Sequence, residues 1–410
     1  MANKFTRPQG TEDVTPKQIY KWHTVEKIAR ETAEAFGYQE IRVPTFEQTA
    51  LFQRSVGETT DVVQKEMYTV VARETEFTLR PEGTAGTIRA MLQNGMLNDA
   101  LPQKAFYILS CFRHERPQAG RLREFHQFGL EMAGSASPAA DAEIISLAKQ
   151  VLDRVGLKGI ALNINSIGCP TCRAGYHQAL RAYFADREAE LCDTCRTRLE
   201  KNPMRILDCK SPICSEIAKG APVILDYLCQ ECSDHFTLLQ SYLKNLNIDF
   251  TINPKIVRGL DYYTKTVFEF VTTEIGAMGL ERLILTMEKQ GCAFQEPTSC
   301  DLYLAPMDPE SVAPAMQLAQ SLREMGYRAE YDLMNRGLKA QMKFANKIGA
   351  KFVIVLGENE RTTKEAKIKW METGEQFSIH LDDRFPQEFE NLAIQFLYQD
   401  VLAEFEEEQA

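Results

Sequence analysis

Residues 105–134, AFYILSCFRHERPQAGRLREFHQFGLEMAG, constrain this chain more than any other stretch. Two runs of alternating character flank an arginine-rich loop, the pattern of a long hairpin with one buried face. On the first strand Phe106, Ile108 and Phe112 share a face, and Arg113 falls on the other with Tyr107, Leu109 and Cys111. On the second, Phe128, Leu130 and Met132, with His126, stand against Gln127, Gly129 and Glu131. An amide and a carboxylate on one face are too polar for an ordinary core layer, so that face is expected to be the floor of a site for a polar ligand. Arg116, Arg121 and Arg123 in the loop suit a polyanion such as a nucleoside triphosphate. A solvated hairpin with charged decoration would carry the same letters.

A chain of 410 residues holds two or three domains with sizeable cores. Its start has no apolar signal core and no run approaches membrane-spanning length, so a cytoplasmic protein with no membrane partner is expected. Its eleven cysteines then read as reduced thiols or metal ligands rather than disulfides. The net charge of −10 argues against nonspecific nucleic-acid binding by the whole surface and leaves room for a local basic patch.

Taken in order, residues 16–36 read as an amphipathic helix stopped by Gly37, and Tyr38–Phe46 as a strand ending at Pro44. FTLRPEGTAGTIR, residues 77–89, gives a short strand, a proline break and a helix whose entrance holds Glu82 and Thr84. Thr84 can cap that helix, or Glu82 can face a substrate amine. A helix over Ala139–Val155 and a strand over Ile160–Ser166 follow.

The composition then changes. Cys169 and Cys172, Cys192 and Cys195, Cys209 and Cys214, and Cys229 and Cys232 form four close pairs within one segment. The first two pairs have the spacing of a four-cysteine zinc site, and the later two could complete a second. Eight thiolates leave no open position for catalysis, so any zinc here is expected to be structural. Buried, inert thiols are the alternative.

KIVRGLDYYTKTVFEF, residues 255–270, packs Arg258, Asp261, Tyr262 and Tyr263 into a strand-like stretch where paired aromatics are as often core as ligand. MGLERLILTMEK, residues 278–289, is a helix with Arg282 near its N-terminal end, where a cation opposes the helix dipole and suits an anionic partner. Past residue 300 strands and helices alternate as in a small α/β domain. There Arg336 precedes Lys339, Lys343 and Lys347, three lysines on one helical face, which fits either nucleic acid or solvent.

TLRPEGTAGTIRA, FRHERPQAGRLREFHQFGLEM, RGLDYYTKTVFEF and MGLERL, in that order and followed by an α/β tail, resemble the bacterial histidyl-tRNA synthetases, a family of class II aminoacyl-tRNA synthetases. The resemblance implies an α+β catalytic core, an antiparallel six-stranded sheet flanked by helices, over residues 1–166 and 254–292. It places a helical, here cysteine-rich, insertion at 167–253 and an anticodon-binding α/β domain at 300–410. The implied activity is formation of histidyl-adenylate from L-histidine and ATP with Mg²⁺, then transfer to the terminal ribose of tRNA(His), by a homodimer. Arg113 and Arg258 would flank the α-phosphate and Arg282 the distal phosphates, with Glu115 and Arg121 as further ATP contacts. Glu82, Thr84 and Gln127 would hold the amino-acid backbone, and Glu131 and Tyr263, beside Tyr262, would read the imidazole. A catalytically inactive regulatory subunit of histidine biosynthesis is the alternative. It would need neither the basic tail nor the full arginine set.

At one place the chain departs from the family pattern. Between Phe270 and Met278 it reads VTTEIGA, where the family carries a Gly-Gly-Arg-Tyr-Asp loop and further strand. A true deletion would leave the histidine pocket without a wall and the activity in doubt. The favoured alternative is that the protein carries this segment and the recorded sequence omits it, since every other catalytic motif is present. The mass of the intact protein measures the length of this stretch directly.

Overall fold

The structure, a computed structural model, describes residues 5–56, 62–117, 120–257, 263–272, 279–295 and 300–397. The chain forms two compact units, Met1–Gln295 and Glu296–Ala410. The first opens with α1 (Ile19–Ala35), β1 (Gln39–Glu40), β2 (Phe46–Gln48), α2 (Thr49–Val56), β3 (Thr69–Ala72), β4 (Thr75–Leu79) and α3 (Thr84–Gln93). It continues with β5 (Gln103–Phe112), β6 (Glu124–Ala133), α4 (Pro138–Arg154) and β7 (Ile160–Ser166). The insertion contributes α5 (Pro170–Ala185), α6 (Asp193–Lys201), α7 (Pro212–Ala218) and α8 (Gln230–Asn245) before β8 (Thr251–Ile252), β9 (Thr266–Thr272) and α9 (Leu280–Gln290).

Helix α1 buries Val25, Ala29 and Ala33 and is followed by Gly37 at φ +81°, as its apolar spacing requires. The expected strand Tyr38–Phe46 is instead two fragments, β1 and β2, on different sheets. Pro44 lies between them and has no N–H for a ladder. Helix α4 starts where Ser137 accepts the Ala139 N–H at 3.2 Å with Pro138 in the first turn.

β5 and β6 pair antiparallel from Gln103 opposite Ala133 to Phe112 opposite Glu124. Phe106, Phe128, Leu130 and Met132 pack on α1 and α4, as the alternation requires. The other face is not wholly a ligand floor. Tyr107 and Leu109 are buried there against Val43 and Ala90, so half of it is core.

The single six-stranded sheet is not formed among the described residues. Two three-stranded sheets take its place, β1-β5-β6 and β8-β7-β9, each mixing one parallel pair with one antiparallel pair. The six residues at 273–278 lie outside the described ones, and among the described residues β6 and β9 are sheet edges.

The insertion has its own core, in which Tyr176, Leu180, Phe184 and Ile206 are buried. Ile167, Ile256 and Val267 belong to the same cluster, whereas Phe236, Leu239 and Leu243 of α8 join the core of the catalytic part. The second unit contains β10 (Leu302–Pro306), α10 (Val312–Glu324), β11 (Ala329–Tyr331), α11 (Leu338–Lys347) and β12 (Phe352–Leu356). It ends with α12 (Glu358–Thr363), β13 (Glu365–Trp370), β14 (Gln376–His380) and α13 (Phe385–Leu397). Its sheet runs β11-β10-β12-β13-β14, parallel through the first three strands and antiparallel beyond. Among the described residues, helix α12 is an element that the alternation missed, because six polar residues carry no periodic apolar stripe.

Candidate active site

A cavity of about 490 Å³ lies between the edge strands β6 and β9 and is bounded by the start of α9. Arg113, Glu115, Arg121, Gln127, Tyr263 and Arg282 all line it. Six residues from three stretches of sequence thus converge on one space, and Arg258 and Tyr262 lie outside the described residues.

Arg113 is held before any ligand arrives. Its Nε donates to the Pro81 carbonyl at 2.9 Å, and its guanidinium lies 5.2 Å from the centre of the Phe125 ring. Arg121 pairs with Glu115 at 3.1 Å, and Arg282 donates from Nε to the Gly120 carbonyl at 3.1 Å. Gly120 has φ +69°, and a Cβ there would meet Arg282 Cγ at 2.8 Å, so only glycine lets this loop lie on the arginine. Burial first, then the neighbouring Arg121, lowers the pKa of Arg282. Guanidiniums pressed together in a partly enclosed cavity are matched to a polyanion.

Gln127 is oriented by a residue that sequence reasoning passed over. Burial pushes the Cys111 thiol up to about 12, so it stays protonated and donates to Gln127 Oε1 at 3.3 Å. The Gln127 amide N–H groups are left to serve as donors.

Glu82, Thr84 and Glu131 gather instead around Tyr107. Thr84 does not cap α3. Glu82 does so, accepting the N–H groups of Thr84 at 2.6 Å and Ala85 at 3.0 Å. The Tyr107 hydroxyl donates to Glu131 Oε1 at 3.3 Å, and its ring lies so close to Gly83 and Gly129 that a Cβ on either would come within 2.3 Å of it. Burial, reinforced by the charge of Glu82, pushes the Glu131 carboxyl up to about 7, although bonds from Thr84 and Tyr107 oppose the shift. A carboxylate kept uncomfortable in this way is suited to a partner that brings a hydrogen-bond donor.

The start of α9 is fixed by a second contact that periodicity could not reveal. Glu281 accepts the His126 backbone N–H at 2.9 Å and pairs with its Nδ1 at 3.0 Å. His126 therefore belongs to the support of Arg282 rather than to an apolar layer.

The eight paired cysteines form two clusters, Cys169, Cys172, Cys229 and Cys232, and Cys192, Cys195, Cys209 and Cys214, with the sulfurs of each within 4.8 Å of one another. The pairing is nested. The first pair meets the fourth and the second meets the third, a choice that the spacing leaves open. Cys169, Cys192 and Cys229 each sit at a helix N-cap, so the thiols lie where the helix dipole favours negative charge. The N–H of Cys172 leads in holding the Cys169 thiol down to about 6, whereas burial raises those of Cys195 and Cys232.

In the second unit Lys339, Lys343 and Lys347 are exposed on α11. Arg336 turns inward. It pairs with the buried Asp332 at 3.0 Å and lies 4.3 Å from the centre of the Phe344 ring. No helix among the described residues is long and apolar enough to cross a membrane.

Residues 10–279 match the family model described as Histidyl-tRNA synthetase, and residues 301–387 match that described as Anticodon binding domain. The chain is 48% identical over 400 residues to a Histidine--tRNA ligase of Clostridium perfringens strain SM101, covering 91% of this chain and 96% of that one. It is 45% identical over 404 residues to a Histidine--tRNA ligase of Clostridioides difficile strain 630, with coverage of 91% and 96%. The crystal structure of apo S. aureus histidyl-tRNA synthetase matches with a TM-score of 0.79 at 32% identity, covering 94% of this chain and 99% of that one. A structure from Bacillus halodurans, titled an ATP phosphoribosyltransferase regulatory subunit/histidyl-tRNA synthetase, shares the fold with a TM-score of 0.59 at 19% identity, over 86% of this chain and 98% of that one.

Proposed function

Since the chain belongs to the histidyl-tRNA synthetase family, and so activates histidine with ATP and charges tRNA(His), we propose that the arginine-lined cavity is where the adenylate forms. The convergence of Arg113, Arg121, Arg282, Gln127 and Tyr263 on one space carries this reading. In the reaction a histidine carboxylate oxygen bonds to the α-phosphorus of ATP as the bond to pyrophosphate breaks. Arg113 holds the α-phosphate with the outer nitrogens of its fork, its Nε being committed to Pro81. Arg258 neutralises the same phosphate, and Arg282 with Arg121, set by Glu115, meets the distal ones. Mg²⁺ accompanies the nucleotide and supplies further charge neutralisation. Gln127 donates to the amino-acid carboxylate, Glu82 and Thr84 receive its ammonium end, and Glu131 and Tyr263, with Tyr262, read the imidazole. Histidine-dependent exchange of pyrophosphate into ATP tests the whole assignment. Its absence from the full-length protein would return the regulatory-subunit reading, which is not favoured.

The same proposal takes the chain to be a cytoplasmic homodimer whose tail contacts tRNA through Lys339, Lys343 and Lys347, with Arg336 setting the start of α11 from inside. Replacing the three lysines by alanine is expected to weaken tRNA binding and to lower the slope of log affinity against log salt by about 0.7–0.9 for each phosphate that is no longer neutralised. Adenylate formation should be spared. An unchanged salt slope would make the lysines a solvated face.

Each cysteine cluster holds a structural Zn²⁺ in this reading. The sulfurs of Cys169 and Cys172 are 3.6 Å apart, and those of Cys169 and Cys229, like those of Cys192 and Cys209, 3.9 Å. A tetrahedron of sulfurs around one ion, with bonds of about 2.3 Å, has edges of about 3.8 Å. Elemental analysis of the chelator-washed protein is expected to find two zinc ions per chain, and prolonged chelation to lower the thermal midpoint of the insertion. A metal-free protein of unchanged midpoint would sink the zinc assignment.

A further inference from the structure

The two clusters differ in what surrounds them. Cys192, Cys195, Cys209 and Cys214 belong to the insertion's own core, and three of these four residues lie on or next to α6 and α7. The other cluster stands where the insertion leaves β7 and where α8 returns towards the catalytic core. Its neighbours in sequence grip one short segment, residues 263–265, from several sides. Arg173, next to Cys172, donates from its guanidinium to the Tyr263 carbonyl at 3.1 Å. Gly168, next to Cys169, accepts the Lys265 N–H at 3.0 Å, and the Lys265 carbonyl accepts the Ile167 N–H at 2.8 Å. Glu231, next to Cys232, pairs with the Lys265 ammonium at 2.9 Å.

Every one of these groups is one residue from a clustered thiol, or two in the case of Ile167. Fixing the four sulfurs fixes their relative positions, and with them the path of residues 263–265. Tyr263 is at one end of that path and lines the cavity. Lys265 has φ +56°, a left-handed backbone that a non-glycine residue keeps only where its surroundings hold it. Gly168 supplies the other side of the clamp. It has φ +64°, and a Cβ there would lie 2.6 Å from the Cβ of Cys172, so the chain passes tightly over the cluster.

We propose that the Cys169, Cys172, Cys229 and Cys232 cluster is a metal-dependent positioning site for histidine recognition, in which bound Zn²⁺ presents Tyr263 to the cavity through Arg173, Gly168 and Glu231. This rests on the assignments of zinc to the clusters and of Tyr263 to the imidazole. Arg173 and the four cysteines are positioning residues, since none of them touches the substrate. Histidine recognition therefore depends on metal occupancy at the base of the insertion, a link absent from a purely architectural zinc.

The test uses the full-length protein, with zinc measured by elemental analysis and histidine and ATP KM values by pyrophosphate exchange. The double substitution Cys172→Ser with Cys232→Ser is expected to remove one of the two zinc ions and to raise the histidine KM about tenfold more than the ATP KM, the loss of roughly one hydrogen bond's orientation. Arg173→Ala is expected to keep both ions and reproduce that split, with Arg173→Lys restoring part of it. Hydrogen exchange in peptides spanning residues 263–267 should quicken in both. If the cysteine variant fails to fold, Arg173→Ala alone decides. A wild-type protein without zinc, or a Tyr263→Phe variant with unchanged histidine KM, would defeat the underlying assignments. Zinc present, Tyr263 sensitive and histidine KM unmoved in Arg173→Ala would overturn this proposal alone.

Discussion

Arg113→Ala is expected to slow histidine-dependent pyrophosphate exchange by about 10²–10³-fold, the range for removing one preorganised donor from a developing charge. The loss should fall on kcat, with the dissociation constant for histidine nearly unchanged, because the guanidinium acts on the phosphate and not on the amino acid. The structure gives a reason for the size of the effect. Arg113 is fixed by the Pro81 carbonyl and the Phe125 ring, so its fork is already aimed when the nucleotide arrives. Lysine should not rescue it. An ammonium has no planar fork to divide between an anchoring carbonyl and a phosphate, and it stacks less well on an aromatic face. Single-turnover measurements at saturating histidine and ATP separate the two readings. A variant whose rate persists at saturation while histidine affinity collapses would move Arg113 from the phosphate to the amino acid.

The features legible in the letters were those with local causes. The period of two in residues 105–134 is enough to give the hairpin, the apolar face and the side of Arg113, because strand geometry alternates whatever the surroundings. Helix α1 and its stop at Gly37 follow from spacing and a left-handed glycine. The motif residues Arg113, Glu115, Arg121, Gln127, Tyr263 and Arg282 meet in one cavity, although no local rule says that they should. Their resemblance to a family supplied that link.

Long-range causes were hidden. The nested pairing of the cysteines depends on α5 and α8 starting side by side, which no spacing encodes. Tyr107 filling the space over Gly83 and Gly129 is a packing outcome, as is the thiol of Cys111 turning Gln127. Thr84 looked like a cap because threonine is a common one, but Glu82, two residues upstream, takes that place by accepting the N–H groups of Thr84 itself and of Ala85. Arg336 stood in a basic run, and only the fold reveals the buried Asp332 that draws it inward. The division into two three-stranded sheets and the cavity between β6 and β9 are likewise long-range outcomes that the alternation within either strand does not encode.

Glu131→Gln is expected to weaken histidine binding and strengthen the unliganded fold at once. The Glu131 carboxyl has its pKa raised from 4.5 to about 7 by burial and by Glu82. The folded state therefore holds this proton more tightly than the unfolded chain does, so stability from this group is fully present below pH 4.5 and is lost as the pH rises to about 7. At roughly 1.4 kcal/mol per unit, the loss above pH 7 is about 3 kcal/mol. Glutamine cannot ionise, so the variant should show a higher urea midpoint than wild type at pH 8, and the difference should shrink towards pH 5. Binding should move the other way. A hydrogen bond from the imidazole N–H to a carboxylate contributes about 1.5–3 kcal/mol, so its replacement by a neutral amide should raise the histidine dissociation constant about 10- to 100-fold at pH 8. Because wild-type Glu131 protonates below pH 7, the ratio of the two dissociation constants should fall as the medium is acidified, a comparison in which the ligand's own titration cancels. An unchanged dissociation constant together with an unchanged pH profile of stability would remove Glu131 from the imidazole site. A midpoint that rises while binding persists would leave Glu131 as a strained core carboxylate whose ligand role belongs to Tyr263 or to another group.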